Sequence, residues 1–484
     1  MFESLPTSEV LSEMDDAALV AAMVDYARIE AMAGARRLAV IGEFTARRMA
    51  AAEHADWVVD DWAAASAEIG AALNISPGCA GGQMDLALTL RDRLPNVAAL
   101  YAGGGLVART VAMIARRTDL VQDPAALAAL DSALAERAVA WGPLSERKLE
   151  QAVDVWVIAT DPDALHRTHV RARDREFGIG DPGDGEGVTT VWGRLLATDA
   201  KLLDARLTAM ARAVCDADPR TLAQRRADAL GALGAGSGHL ACRCGVSDCS
   251  AAVDDGRGSH IVVHVLADVC SVDTPPDPGC HGPRRREPDR APIPPAVIAG
   301  GPVLPAELLA DVVEAGAKVR PLRRPADDPA PGYRPSRAQD EWVRMRDLTC
   351  RAPGCDRPAV AADVDHTVPW PAGPTHPSNT KCYCRFHHLV KTFWPGFADW
   401  QDPDGTVTWT TPTGHSYTTY PLGSVLFPGW DTATAALAEP GPTPPAGPGR
   451  DAMMPKRKRT RATEREYRVN TERAANHAEN IPPF

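Results

Sequence analysis

No run of apolar residues in this 484-residue chain approaches the roughly 20 needed to cross a bilayer as a helix. A basic stretch followed by an apolar one is also missing: the chain opens Met1-Phe2-Glu3-Ser4. Without a secretory leader the expectation is a cytoplasmic protein with no membrane partner. Disulfides are rare there, so the 11 cysteines are expected as thiols or metal ligands. An excess of positive charge is lacking too. The formal net charge is −11, whereas a nucleic-acid enzyme normally carries a basic footprint. If nucleic acid is a partner, the acidic excess must be segregated from the contact, or the affinity must be modest. What remains is a globular composition, 45% hydrophobic and 24% charged, on a chain long enough for two or three domains.

The chemistry-bearing residues concentrate between Cys350 and Lys391. Cys350 and Cys355 form one short-spaced pair, and Cys384 and His387 form a second a few tens of residues on. Two such pairs are the usual supply for a tetrahedral zinc ion. Asp365-His366 and Asn379 lie between them, and His388 and Lys391 follow the second pair. A purely structural zinc ribbon needs only the quartet and leaves Asp365, His366, Asn379 and His388 without a reason. A disulfide reading has no secretory context behind it. Cys382 is read as a packed core thiol. The alternation of Val360, Ala362 and Val364 predicts a short strand carrying Asp365-His366. The run from Cys384 to Phe393 predicts a helix with His388 on its exposed face and Lys391 one turn on. Neighbours on a strand face opposite ways. Asp365 and His366 therefore share a site only if the strand ends or bends there, as nearby Pro369 would allow.

This His…Asn…His order between two zinc pairs resembles the HNH endonucleases of the ββα-metal type. The resemblance implies a metal-dependent endonuclease that hydrolyses phosphodiester bonds of DNA. It implies His366 as general base, Asp365 and His388 as ligands of a catalytic Mg²⁺ or Mn²⁺, and Asn379 as the orienting residue. Cys350, Cys355, Cys384 and His387 would hold a structural Zn²⁺. His387 departs from the family's usual second Cys, and Thr380 from the aliphatic residue that often follows the Asn. Neither change removes a chemical role. The residue types suit the reaction on their own terms. A histidine near its ordinary pKa can take a proton from water at neutral pH. A carboxylate with an imidazole leaves most positions of a six-coordinate cation open to water and phosphate. Arg385 and Lys391 are expected to contact phosphate. Two other classes stay open: a DNA-binding or regulatory protein that keeps the HNH fold but cleaves weakly, and an interaction protein led by its N-terminal half. Oligomeric state is not legible.

The fold class expected is α+β and predominantly α. Residues 1–270 read as a helical N-terminal domain, 271–335 as a Pro/Arg-rich linker with a short helix, 336–425 as the nuclease domain, and 426–484 as a Pro/Gly linker with a basic, disordered tail. Asp15-Asp16 opens the first helix, and Leu19, Met23, Tyr26 and Ile29 recur at helical spacing. Trp57, Trp62, Ile69 and Leu73, then Leu86, Leu90 and Leu94, then Val107, Val111 and Ile114 mark further helices with core-facing stripes. From Trp156 to Gly193 the helical period fades, and Val188, Thr190 and Val191 read as a strand beside Val153, Trp156 and Ile158. A helix resumes over 199–215, and the Asp216–Thr221 run caps another. With Ile75-Ser76-Pro77 and Leu94-Pro95, this segment resembles the helical domain of unknown function found on many actinobacterial HNH proteins, a repeat family.

A second cysteine group comprises His239, Cys242, Cys244 and Cys249, with Cys270, Cys280 and His281 beyond; its spacing fits either a structural metal or plain thiols. His260 and His264 flank a strand around Ile261-Val262-Val263. Arg284 to Arg286, Arg323, Arg324, Arg334, Arg337, Arg344 and Arg346 read either as a phosphate-binding surface or as charges on solvated linkers. Val407, Trp409 and Thr411 alternate into a hairpin whose return strand starts at His415, an exposed histidine. The run from Lys456 to Arg461 reads as a non-specific nucleic-acid contact or a loose tail, and continues as a polar, frayed helix.

Overall fold

The computed structural model describes residues 8–139, 141, 144–165, 175–180, 184, 187–252, 263–275, 293–314, 317–437 and 450–480. Asp15 caps the first long helix, its carboxylate accepting from the Ala18 amide, and α1 then runs Asp16–Ala50. Six shorter helices follow: α2 (Asp61–Leu73), α3 (Pro77–Asp92), α4 (Pro95–Ala102), α5 (Ala108–Arg117), α6 (Pro124–Ala138) and α7 (Glu146–Thr160). Proline stands at the start of α3, α4 and α6, where its missing N–H would have no helical partner anyway. Their shared core includes Met84, Leu94, Val97, Val111, Ile114, Leu134 and Val153. The architecture is α+β and predominantly α.

One reading of this half changes and another is sharpened. Met23 and Tyr26 do not face the core but solvent, Met23 at 66% exposure. The buried stripe of α1 begins only at Ala31 and continues through Leu38 and Ile41. Val153, Trp156 and Ile158 belong to α7 and not to a strand, because Val153 and Val157 sit one turn apart in the core. Strand β2 (Val191–Arg194) pairs instead with β1 (Glu176–Ile179).

Helix α8 (Ala197–Arg212) and α9 (Leu222–Gly234) form a hairpin with its own small core. Thr221 and Gln224 make a reciprocal capping box at the start of α9, as the Asp216–Thr221 run predicts. Short strands β3 (Val265–Leu266), β4 (Ala296–Ile298) and β5 (Val303–Leu304) form a small antiparallel sheet beside α10 (Ala306–Glu314). The expectations placed on His260, Cys280, His281, Arg284 to Arg286 and the linker over 439–449 lie outside the described residues.

The C-terminal module starts with α11 (Arg337–Asp347). Strand β6 (Asp363–His366) pairs antiparallel with β7 (Thr380–Tyr383), and α12 (Arg385–Phe393) follows at once. A three-stranded meander, β8 (Ala398–Gln401), β9 (Val407–Thr410) and β10 (Ser416–Thr419), closes the module. Its hairpin is where the alternation predicts it, and His415 at its tip is exposed.

The module is not a bead on a linker. Ala63, Ala64, Ala67 and Ala71 of α2 join Trp57 and Val59 in one core with Tyr383, Leu389, Val390, Phe397 and Trp409. The Trp394 indole N–H donates to the Val59 carbonyl at 2.9 Å. The tail, expected to be disordered, is helix α13 (Arg461–Asn480) laid along the N-terminal bundle. Arg465 and Arg468 reach Asp119 at 2.6 and 2.8 Å, Arg473 meets Asp161, and Val469 enters the bundle core. Lys456, Arg457 and Arg461 pair with Asp56 and Asp60. The bundle thus pairs Lys456, Arg457 and Arg461 of the basic run, while Arg459 turns to Glu464 and Lys458 stays exposed.

Candidate functional site

The antiparallel pair and its following helix bring the two halves of the Cys/His quartet together. The ligand atoms of Cys350, Cys355, Cys384 and His387 all lie within 4.8 Å of one another, and all four residues are buried. His387 Nδ1 is 3.5 Å from Cys350 Sγ and 3.4 Å from Cys384 Sγ, and the Cys355 and Cys384 sulfurs are 4.0 Å apart. Tetrahedral ligands about 2.3 Å from a zinc ion stand about 3.8 Å from each other, so the spacing fits the ion. Burial pushes the Cys350 thiol well above its ordinary range, and a bound cation supplies what ionising it there requires. Cys382 is fully buried in a separate apolar cluster, as a core thiol.

On β6, side chains alternate. Asp363 and Asp365 face α12, and His388 stands between them: Nδ1 is 2.8 Å from Asp363 Oδ2, and Nε2 is 3.3 Å from Asp365 Oδ1. A carboxylate only accepts, so Nδ1 carries the proton toward Asp363 and the Nε2 lone pair is aimed at the Asp365 oxygen. Two electron-rich atoms at that distance call for a cation or a second proton between them. A carboxylate behind a ligating histidine is the usual support that fixes its tautomer. Asp363 fills that place, and the motif does not name it.

Lys391 is not an exposed phosphate contact. Its side chain is 12% exposed, and its ammonium lies 2.6 Å from Asp365 and 3.1 Å from Asp399 while donating to the His366 carbonyl. Burial by itself would lower its pKa, but the Asp365 and Asp399 carboxylates raise it. Lys381, wholly buried, lies 2.8 Å from Asp399 and donates to Thr367; burial brings its pKa down to about 8. Burial would raise the Asp365 pKa, yet the Lys391 and Lys381 ammonium groups hold it below the ordinary carboxylate range. Asp365 is therefore an anion at neutral pH.

His366 sits on the other face of the strand end, 5% exposed. Its Nε2 is 2.8 Å from Thr375 Oγ1, and its ring stacks on Tyr333 at 5.3 Å between centroids. The Thr375 hydroxyl donates to the Gly332 carbonyl at 2.7 Å. One hydroxyl has one proton, so toward His366 that oxygen accepts. Nε2 is then the N–H, and Nδ1 keeps its lone pair. Burial holds the imidazole pKa below 6.5, which favours this neutral, basic form at pH 7. Tyr333 and Gly332 belong to the segment over 320–335, read from composition as a linker. They are held against the site because Ala330 pairs with Thr375.

Asn379 occupies the orienting place. Its Oδ1 accepts from the Val368 amide at 2.9 Å, and its Nδ2 donates to the Val368 and Pro374 carbonyls. It ties both ends of the loop between β6 and β7. Arg385 remains on the surface, 63% exposed, with Asp363 at 3.3 Å. Arg346, one of the residues read as a phosphate contact or linker charge, is fully buried. It ties Asp347 to the Pro377 and Thr380 carbonyls, and the Asp347 carboxylate in turn accepts from the Cys382 amide. Arg344 donates to the Ala359 and Ala362 carbonyls. Arg323, Arg324, Arg334 and Arg337 are exposed. No helix among the described residues is long and apolar enough to cross a membrane.

Comparison with known proteins locates the chain by its relatives. It is 53% identical to the uncharacterized protein Rv3776 of Mycobacterium tuberculosis, over all of this chain and 95% of that one. The identity to the uncharacterized protein Rv2100 of the same organism is also 53%, over all of this chain and 93% of that one. No solved structure matches it. Residues 25–347 match the family described as Domain of unknown function (DUF222), ending where α11 ends and the zinc-ligand segment begins, and the chain belongs to that family.

Proposed function

We propose that the protein is a metal-dependent endonuclease of the HNH type that hydrolyses phosphodiester bonds of DNA. The observation that carries the reading is the approach of His388 Nε2 to Asp365 Oδ1 at 3.3 Å, with Asp363 behind the ring, on a ββα unit whose first strand carries His366 one residue on. Asp365 and His388 would hold Mg²⁺ or Mn²⁺, and Cys350, Cys355, Cys384 and His387 a structural Zn²⁺. When bound, the divalent cation neutralises charge developing on the phosphate and leaving oxygens. His366 Nδ1 takes a proton from water. That water attacks phosphorus, the bond from phosphorus to the 3′ oxygen breaks, the departing 3′ oxygen takes a proton from solvent water, and the ends are a 5′-phosphate and a 3′-hydroxyl. Asn379 fixes the loop beside the base, and exposed Arg385 is placed to meet a flanking phosphate.

A second reading rests on a specific contact. Lys391 already clamps Asp365 from one side, and the basic tail pairs with the bundle. The first feature favours a DNA-binding or regulatory protein that keeps the fold and cleaves weakly, and the second leaves the tail out of its DNA contact. The test is incubation of the purified chain with supercoiled, linear and single-stranded DNA under Mg²⁺, Mn²⁺ or EDTA. Cleavage that needs the divalent ion, and that falls by roughly 10²–10⁴-fold in His366→Ala with DNA retention unchanged, is the expected result. Retention without cleavage under every ion selects the second reading.

A further inference from the structure

A second set of four sulfurs assembles beside the core of the α8–α9 hairpin. Cys215, three residues past the end of α8, meets Cys242, Cys244 and Cys249, all four ligand atoms lying within 4.8 Å of one another. His239, grouped with these cysteines by its nearness in sequence, is replaced by Cys215 as the fourth member. We infer that these four cysteines bind a second zinc ion, one that staples the 235–252 loop onto the α8–α9 hairpin.

The argument is geometric. The Cys215 and Cys242 sulfurs are 3.4 Å apart, far beyond a bonded pair at about 2.05 Å and close to the tetrahedral edge of about 3.8 Å for a zinc tetrathiolate. Tetrahedral sulfur sites select zinc or iron, and zinc is the ion assigned. The loop is shaped around its sulfurs. Gly245 takes φ +71°, a conformation side chains rarely adopt, and this turn lets the Val246 amide point at Cys244 Sγ at 3.5 Å. An amide aimed at a thiolate is the kind of outer support that ligands receive. Cys242 donates its amide to Ala251, and Cys249 to Val246, closing the loop.

The same loop is anchored from below. Buried Asp218 holds Arg220 at 2.7 Å and accepts from the Arg243 amide at 2.9 Å, and Arg220 donates to the Ala241 carbonyl. Both Cys242 and Cys244 flank that anchored Arg243. Beneath them the core of the hairpin is small: Leu207, Met210, Val214, Ala229, Ala232, Leu240 and Cys242 are its buried members. A unit with so few buried side chains is where a metal or another crosslink is usually needed. Arg243 also reaches Asp311 on α10 at 3.1 Å, so the staple fixes the link between the hairpin and the small sheet.

Elemental analysis of the purified full chain is expected to give two zinc ions per molecule. The double variant Cys244→Ser/Cys249→Ser is expected to give one, and Cys384→Ala to lose the other. Alkylation of the intact protein followed by peptide mapping keeps the test decisive if a variant does not fold. Cys215, Cys242, Cys244 and Cys249 should resist iodoacetamide until a chelator is added. One zinc per chain with these four thiols alkylated freely, iron in place of the second zinc, or disulfides among the four would overturn the assignment. The outcome is independent of DNA cleavage, so failure here and failure of the nuclease reading are separate results.

Discussion

The two sulfur clusters differ in what surrounds them. All four ligands around His387 are buried, whereas Cys242 is the only buried member of the Cys215 group. The first cluster sits in the core that α2 shares with the C-terminal module: Cys350, Cys355 and Cys384 pack in the same group as Ala63, Ala64 and Ala67. The second cluster caps a two-helix satellite. A metal in the first is therefore part of the joint between the two halves of the chain. A metal in the second is a local staple. The strongest way to break this comparison is to remove one ligand from the buried site. Cys384→Ala should lose its zinc and the cooperativity of the whole chain, since structural zinc contributes about 10–16 kcal/mol in small zinc-folded peptides. Thermal unfolding followed by circular dichroism reads it. A Cys384→Ala protein melting with the parent, beside a collapsed Cys244→Ser/Cys249→Ser variant, would reverse the ranking.

The joint can be tested without touching a metal ligand. Gly354, in the loop between Cys350 and Cys355, has φ +68°, and a Cβ there would lie 2.6 Å from the Ile75 backbone N and O. Neither backbone atom can swing aside as a side-chain tip could. Gly354→Ala should cost about 2–4 kcal/mol, from the strained φ and the overlap together. Zinc content should stay at the parent level. Proteolytic cutting over 320–336 should leave the two halves co-eluting in the parent and separating more readily in the variant. Clean release of the C-terminal module from the parent would show that α2 is not part of its core.

Acid offers a gentler contrast. His376 is 1% exposed, its Nδ1 accepts the Ser378 amide at 3.2 Å, and burial holds its pKa below 6.5. The unfolded chain binds the proton first, so stability is present above pH 6.5 and is lost as pH falls below it toward the lowered folded value. Each unit of such a shift is about 1.4 kcal/mol. The C-terminal module should loosen on acidification before the Cys215 unit does, and hydrogen exchange resolved by segment reads the order. His376→Gln should flatten the slope. An unchanged slope would mean that another group carries it.

How much of this was legible follows from distance along the chain. The zinc quartet, Asp365, His366, Asn379 and His388 come in pairs or within one short strand–loop–helix unit, so spacing exposes them. The fourth sulfur of the second cluster is not: Cys215 stands 27 positions before Cys242, and no spacing rule links them. Asp363 is hidden for the opposite reason, since an Asp two positions upstream on a strand looks like any solvated charge until α12 is laid across it. Arg346 reads as a surface cation, yet the residue beside it, Asp347, is also buried and makes the pair affordable in the core. Met23 and Tyr26 keep helical spacing, and spacing reports a helix without reporting whether a partner covers its face. Tyr333 and Gly332 sit in a stretch whose prolines mark irregular backbone, and irregular backbone can still be packed.

The smallest effect expected concerns the proposed base, His366, and separates a site that is merely held from one that is tuned. Thr375 Oγ1 donates to Gly332 and accepts from His366 Nε2, which leaves the Nδ1 lone pair for water. Thr375→Val keeps the shape and removes the acceptor. His366 is then free to place its proton on either nitrogen, and a buried N–H on Nε2 loses its partner at about 1–3 kcal/mol. The base tautomer becomes a fraction of the population, so cleavage at saturating DNA should fall about tenfold, the equivalent of about 1.4 kcal/mol. The concentration of DNA at half-saturation should not move, because Thr375 is buried. Thr375→Ser restores an oxygen at the same place and should recover most of the rate. If Thr375→Val raises the half-saturating concentration and leaves the maximal rate alone, or if Thr375→Ser fails where the protein is folded, the hydroxyl shapes the loop without setting the tautomer of His366.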